Sequence, residues 1–372
     1  MNIITDRNEL QRALSTVSRA TAVRNIGPLE GMILEAYDDK LLMYATNREI
    51  QISTVIDARV LVEGKILVNS KRINDIVRSF DYGDVQIEED ENYNVTVKCG
   101  NSVFDIKSMD YRTFPNREVY NINDFIKIEN GKMKKMIKET VFACAPSEEM
   151  AVSPILTGVL IENTDEGINF VAIDGFRMAI RTEKADERYM DSIHCVVPSS
   201  TMNELSRILS TYDDDVFINI SDKKFIANVG KTQLVSSLLQ GKFIAYKNLV
   251  PKVSSTIVKM KKDDLQNACE KSTIISDDAN AKLITLKFRA DTDTLEISNR
   301  SKSGKYHDVL DISMNGEDLE ISFNSRYLLD CLKVIEDENI IIELDSPKSP
   351  CLIKPVDSNR FRYLVMSVRM DG

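Results

Sequence analysis

V-N-S-K-R-I-N-D-I-V-R-S-F, from Val68 to Phe80, reads as the end of a strand running into a helix. Ser70 is a candidate N-cap, able to satisfy an orphan amide of the first turn. Beyond it, Ile73, Ile76, Val77 and Phe80 fall at the spacing of one buried helix face. The pattern returns as V-P-S-S-T-M-N-E-L-S-R-I-L at 197–209 and as F-N-S-R-Y-L-L-D-C-L-K-V-I at 323–335. There Ser199 precedes Met202, Leu205 and Leu209, and Ser325 precedes Leu328, Cys331, Leu332 and Ile335. The three serines are separated by 129 and 126 residues.

An upstream helix repeats as well. Leu10, Ala13, Leu14 and Val17 make one stripe; Met133, Met136, Ile137 and Val141 make a second; Leu265, Ala268 and Cys269 make a third. L-E-G-M-I-L-E at 29–35 is echoed by L-T-G-V-L-I-E at 156–162. Chance helices would not keep one order and spacing three times, so the chain is read as three tandem units of roughly 125 residues, an ordinary domain size. The boundaries fall at 1–122, 123–251 and 252–372, with links near Asn121–Phe125 and Pro251–Ser255. Each unit runs helix, strands, helix, strands, and turn residues separate the strands as in meanders. The fold class is therefore α+β with antiparallel sheets and two helices per unit.

The net charge is −10, at first sight unfavourable for a nucleic-acid binder. Net charge does not say where the charges sit. Lys134, Lys135 and Lys138 lie on the polar side of one helix; Arg7, Arg12, Arg19 and Arg24 lie on or just after another; Lys71-Arg72 opens a third. Acidic runs such as Glu88–Glu91 and Asp213–Asp215 fall in strand connections. The total is compatible with a basic helical face that meets phosphates without reading bases, and equally with ordinary solvated helices.

The six cysteines show no metal-ligand spacing and read as buried thiols of a reducing compartment. The N-terminus carries no signal-peptide core, and no apolar run reaches the ~18 residues of a membrane span; the expected location is cytoplasmic. No metal, cofactor or catalytic constellation is expected. His194 beside Cys195 lacks a third group to orient it, and Gly230-Lys231-Thr232 lacks the upstream glycine of a phosphate loop.

V-A-I-D-G-F-R-M-A-I-R, from Val171 to Arg181, reads as two strands about a tight Asp-Gly turn whose central residues take positive φ. Its I-D-G-F-R-M-A core resembles the T-D-G-H-R-L-A signature of the bacterial sliding clamp family, the β subunit of the replicative DNA polymerase. The C-terminal Y-L-V-M-S-V-R-M resembles that family's closing segment, Y-K-N-L-V-P at 246–251 its link between second and third units, and F-N-S-R-Y at 323–327 its F-N-x-x-Y. The resemblance runs the whole length, in order.

The resemblance implies a homodimer closed head to tail into a ring that encircles double-stranded DNA, with helices lining the hole and sheets outside. It implies a processivity factor rather than an enzyme, with the replicative polymerase catalytic subunit, the clamp loader and other proteins bearing short clamp-binding peptides as partners. Arg24, Lys71 and Arg72 match DNA-facing positions, and Lys134 and Lys138 extend that face. The implied peptide pocket takes Leu156, Ile173, Gly175, Phe176, Arg177 and Met178 on one side. Pro251, Leu364, Val365, Met366, Val368 and Arg369 close it, with Asn324 and Tyr327 nearby. Phe104 and Ile106, with Ile274 and Ile275, match the dimer contact. A peptide burying two large side chains gains ~3–6 kcal/mol before ordering costs, so binding on the order of micromolar is expected.

The sequence departs from the pattern at Ile173, Phe176, Met178 and Ser367, where the family usually has Thr, His, Leu and Pro, so a more apolar and adaptable pocket is expected. Ser199 and Ser200 stand where relatives often carry basic residues. A three-domain adaptor that binds only proteins, and a hydrolase using Cys195 or the acidic residues, are the alternative readings.

Overall fold

The computed structural model describes residues 1–22, 27–120, 125–146, 153–184, 193–221, 223–275 and 283–368. Six α-helices lie among them: α1 Arg7–Val17, α2 Ser70–Ser79, α3 Asn130–Lys138, α4 Ser199–Leu209, α5 Lys262–Ile274 and α6 Ser325–Leu332. They fall in three pairs, as the repeats predict. Each buries the stripe read from sequence: Leu10, Leu14, Ile73, Val77, Met133, Met202, Leu265 and Leu332 are all fully buried. Each such leucine or isoleucine contributes ~1.5–3 kcal/mol by leaving water.

The caps differ from expectation. Ser70, Ser199 and Ser325 are the first helical residues, and in the first and third repeats the cap stands one position earlier. Asn69 accepts from the Arg72 amide and Asn324 from the Arg326 amide, 3.0 Å each. Asparagine fits because its side-chain oxygen reaches back to an orphan N–H; the second repeat has Pro198 there instead. Ser70 and Ser325 are buried, so they are small residues at a close contact. Helix α3 ends at Lys138, which leaves Val141 in a separate 3₁₀ turn and only partly buried.

Among the described residues all strand pairs are antiparallel, in four sheets. Each repeat supplies two meanders, and neighbouring repeats share sheets. The third strand of the second repeat's later meander, Thr232–Ser237, pairs with the third strand of the first repeat's earlier one, Ile50–Asp57. Phe361–Val365 pairs in the same way with Arg177–Glu183. The strands in the equivalent remaining positions, Ser102–Lys107 and Lys305–Asp311, lie at sheet edges.

The chain accordingly packs as two compact units, and the second repeat contributes to both. One unit holds Met1–Lys134 with Ser200–Leu238; the other holds Lys135–Ser199 with Leu239–Gly372. The first unit has a five-stranded and an eight-stranded sheet. In it Asn74 of α2 clasps α1, donating to the Leu14 carbonyl at 3.1 Å and accepting from Gln11 at 3.0 Å. The second unit has a nine-stranded and a four-stranded sheet and carries every described residue of the peptide pocket read from sequence.

Candidate functional site

The site begins at the turn after strand Gly167–Ile173. The turn is not centred on Asp-Gly. The Asp174 amide donates to the Arg177 carbonyl at 3.3 Å, so Gly175 and Phe176 are the central residues. Gly175 takes φ +98°, and Phe176 is not in the positive-φ region. Glycine at the first central position suits the II′ class, so one residue rather than two needs left-handed backbone. Asp174 anchors the loop: its carboxylate accepts from the Phe176 and Arg177 amides at 2.9 and 3.0 Å.

Strand alternation then separates two groups of side chains. Met178 pairs with Leu364 and Ile180 with Arg362. Met178, Ile180 and Leu364 share one face, packed with Leu156, Ile173, Phe243 and Tyr246 in a buried cluster that Val250 flanks. Arg177, Tyr363 and Val365 belong to the other face. Val365 thus points away from Leu364, so the two do not close one pocket from the same side, contrary to the expectation from sequence.

On that second face Arg177 is nearly buried, with a side chain only 10% exposed. Its guanidinium donates to Asp174 at 2.8 Å, to Asp330 at 2.6 Å and to the Phe142 carbonyl at 2.8 Å. Burial works against the charge, but Tyr363, Asp330 and Asp174 outweigh it and hold Arg177 above its ordinary pKa. The guanidinium also lies 4.6 Å from the Tyr327 ring centroid, within cation–π range. Phe176 stacks on the same Tyr327, centroids 6.3 Å apart, and Tyr363 donates to the Tyr327 carbonyl.

What remains exposed is apolar. Phe176 is 60% exposed, Met366 45% and Val368 41%. The Met366 amide donates to the Phe176 carbonyl at 2.8 Å, which ties the C-terminal segment to the turn. Ile244 and Leu249 are exposed on the segment whose Phe243 and Tyr246 enter the buried cluster. The sequence does not single these two out, because they alternate with the buried Phe243 and Tyr246 without a helix or strand period. Leu156, Ile173, Met178 and Leu364 are buried in the cluster that also holds Ile180 and Tyr246, and Pro251 lines a cleft with those two and Val250. Asn324 caps α6. Arg369 lies outside the described residues, as does Arg24.

The basic residues are partly spoken for. Arg7 donates to the Val77 and Arg78 carbonyls, capping the end of α2. Arg19 meets Glu204 at 3.5 Å. Lys135 and Lys138 both reach Glu336, at 3.2 and 2.9 Å. Lys71 and Arg72 are exposed on α2 and line a hollow with Phe104. Lys134 is partly exposed on α3. Of the edge and helix-end residues, Phe104 is 39% exposed and packs on Phe80, Ile106 is buried, and Ile274 is 82% exposed with Ile275 partly so.

Cys195 is buried and its thiol is pushed up to about 12 by burial, the reverse of an activated nucleophile. His194 faces Glu162 at 3.5 Å, not the thiol. All six cysteines are buried and unpaired. No group of three metal-ligating side chains occurs among the described residues, and no described helix is long and apolar enough to cross a membrane.

Comparison with known proteins gives one answer along the whole chain. Residues 1–118 match the model of the DNA polymerase III beta subunit N-terminal domain, 127–244 its central domain and 247–369 its C-terminal domain. The beta sliding clamp of Halalkalibacterium halodurans is 27% identical over 99% of this chain and 100% of its own. That of Pseudomonas aeruginosa is 27% identical over 100% of both. The crystal structure of the DNA polymerase sliding clamp from Bacillus subtilis superposes with a TM-score of 0.94 at 25% identity, covering 100% of this chain and 99% of that one. With three consecutive domain models matched in order, the chain belongs to the DNA polymerase III beta subunit family.

Proposed function

We infer that this protein is a replicative processivity factor: a homodimeric ring that encircles duplex DNA, slides without reading sequence, and tethers the polymerase and other proteins through the apolar pocket at the Phe176 turn. The observation that carries the reading is the strand-exchange rule. Within the chain, the same two strand positions pair at both junctions between repeats. Ser102–Lys107 and Lys305–Asp311 are the same two positions left at edges. One further use of the rule, between copies, joins the first repeat of one chain to the third of another and closes head to tail.

A closed ring holds DNA topologically, so weak phosphate contacts suffice and permit sliding. Lys71, Arg72, Lys134 and Lys138, with Arg24, are the proposed DNA-facing residues. Phe104, Ile106, Ile274 and Ile275 are the proposed dimer contacts. The pocket docks short peptides from the polymerase catalytic subunit, the clamp loader and other clients on the Phe176, Met366 and Val368 rim, with Leu156, Ile173, Met178 and Leu364 in the buried cluster. Three such domains per chain, meeting near residues 122 and 251, complete the assembly. No catalytic step, metal or cofactor enters this function, and the cytoplasm is its proposed location.

The test is retention on DNA. Protein loaded by its clamp loader onto a nicked circular plasmid should co-elute with it in a gel-filtration column and be lost when the circle is linearised. Equal retention on circular and linear DNA would overturn the ring reading.

A further inference from the structure

A cleft of 410 Å³ borders the buried cluster in the same compact unit. Ile180, Tyr246, Val250, Pro251, Lys252 and Arg362 line it. It continues the pocket along the strand seam: Arg362 opposes Ile180, two residues beyond the Leu364–Met178 pair on the same face. The Arg362 guanidinium shares no hydrogen bond or ion pair with any described residue. Its Nε is buried without a partner. Such a group is costly unless something satisfies it. Lys252, exposed at the rim, is likewise unpaired among the described residues. The third cation there, Lys247, is already held by Glu162 at 3.0 Å. Asp165 and Glu166 also line the cleft and are exposed, so they disfavour a run of negative charge.

We propose that this cleft is a carboxylate subsite. It takes a single Asp or Glu that flanks the apolar anchors of a docked peptide, with Arg362 as its main partner and Lys252 beside it. The proposal rests on the peptide-docking reading of the neighbouring pocket. A guanidinium offers a planar fork matched to a carboxylate, and its partly dry setting strengthens the pair. An extended peptide covers ~3.3 Å per residue, so the acid belongs two or three residues from the nearer anchor.

The test uses synthetic decapeptides with a Leu-Phe anchor: one bare, others with one Glu two or three residues before or after it. Affinities for the full-length protein are read by fluorescence anisotropy in low salt. One correctly spaced Glu should tighten binding about fivefold to tenfold. Arg362→Ala and Arg362→Gln should both erase that gain while leaving the bare peptide unchanged. Arg362→Glu should transfer the gain to a Lys-bearing peptide. Equal affinities for bare and acidic peptides, or a gain that survives in both neutral variants, would overturn the subsite alone. Failure of every peptide to bind would overturn the docking pocket, and the subsite with it.

Discussion

Lys138 and Glu336 form an ion pair, Nζ to Oε1 at 2.9 Å, that joins the end of α3 to the loop beyond α6. Lys135 shares the same carboxylate. The arrangement masks two positive charges on a helix proposed to face DNA. Glu336→Gln should unmask them. The expected outcome is tighter residual binding to duplex DNA, with the log–log salt dependence steeper by roughly one to two. A titration of binding against sodium chloride measures the slope, and an unchanged slope would mean that this end of α3 does not meet phosphate.

Arg177 organises the turn through Asp174, Asp330 and the Phe142 carbonyl. Arg177→Ala strands two carboxylates in a largely buried setting, so it should cost about 2–4 kcal/mol of stability. Phe176→Ala, at an exposed ring, should leave stability within about 0.5 kcal/mol while weakening peptide binding. Urea denaturation and anisotropy on the two variants separate a structural from a docking role.

Ile274 is 82% exposed at the end of α5. Ile274→Lys therefore leaves the fold intact and should yield monomers if this residue is covered between copies. Light scattering coupled to gel filtration reads the mass; a dimer of unchanged stability would remove Ile274 from the interface.

Glu139 is buried beside Arg181, Oε2 to Nη1 at 2.8 Å, and Arg181 also pairs with Glu183. Burial nevertheless raises its pKa from 4.5 to about 7, with Arg181 and Lys135 opposing. The fold thus holds this proton more tightly than the unfolded chain. Its contribution to stability is complete below about pH 4.5 and declines as pH rises towards 7. Relative to Glu139→Gln, the natural protein should lose up to about 3 kcal/mol across that window. Urea midpoints at pH 5 and pH 8 for both proteins check it, and a pH-independent difference would mean that the pair stays ionised throughout.

The threefold repeat is legible in sequence because helix caps and apolar stripes are local signals: Leu10, Met133 and Leu265 announce their helices without help from distant residues. Which strand meets which is not local. Thr232–Ser237 reads as a strand whatever its partner, and nothing in it specifies Ile50–Asp57. The same limit explains the site. The Asp-Gly signal finds the turn, but the Asp174 carboxylate, by taking two amides, shifts its centre to Gly175-Phe176. Alternation separates Val365 from Leu364 only once the strand is known to start at Phe361. Ile244 and Leu249 escape because irregular backbone has no period to read. The resemblance points to a pocket at the Phe176 turn; the unpartnered Nε of Arg362 becomes visible only when its surroundings are in three dimensions.

The shared sheets also bear on how far such a chain can drift. Joints made by main-chain amides and carbonyls depend little on which side chains sit above them. Thr232–Ser237 against Ile50–Asp57 is fastened this way, and so is Phe361–Val365 against Arg177–Glu183. Mutation can rewrite most of the lettering on both faces while the stitching stays whole, which accounts for near-superposable backbones at about one identical residue in four.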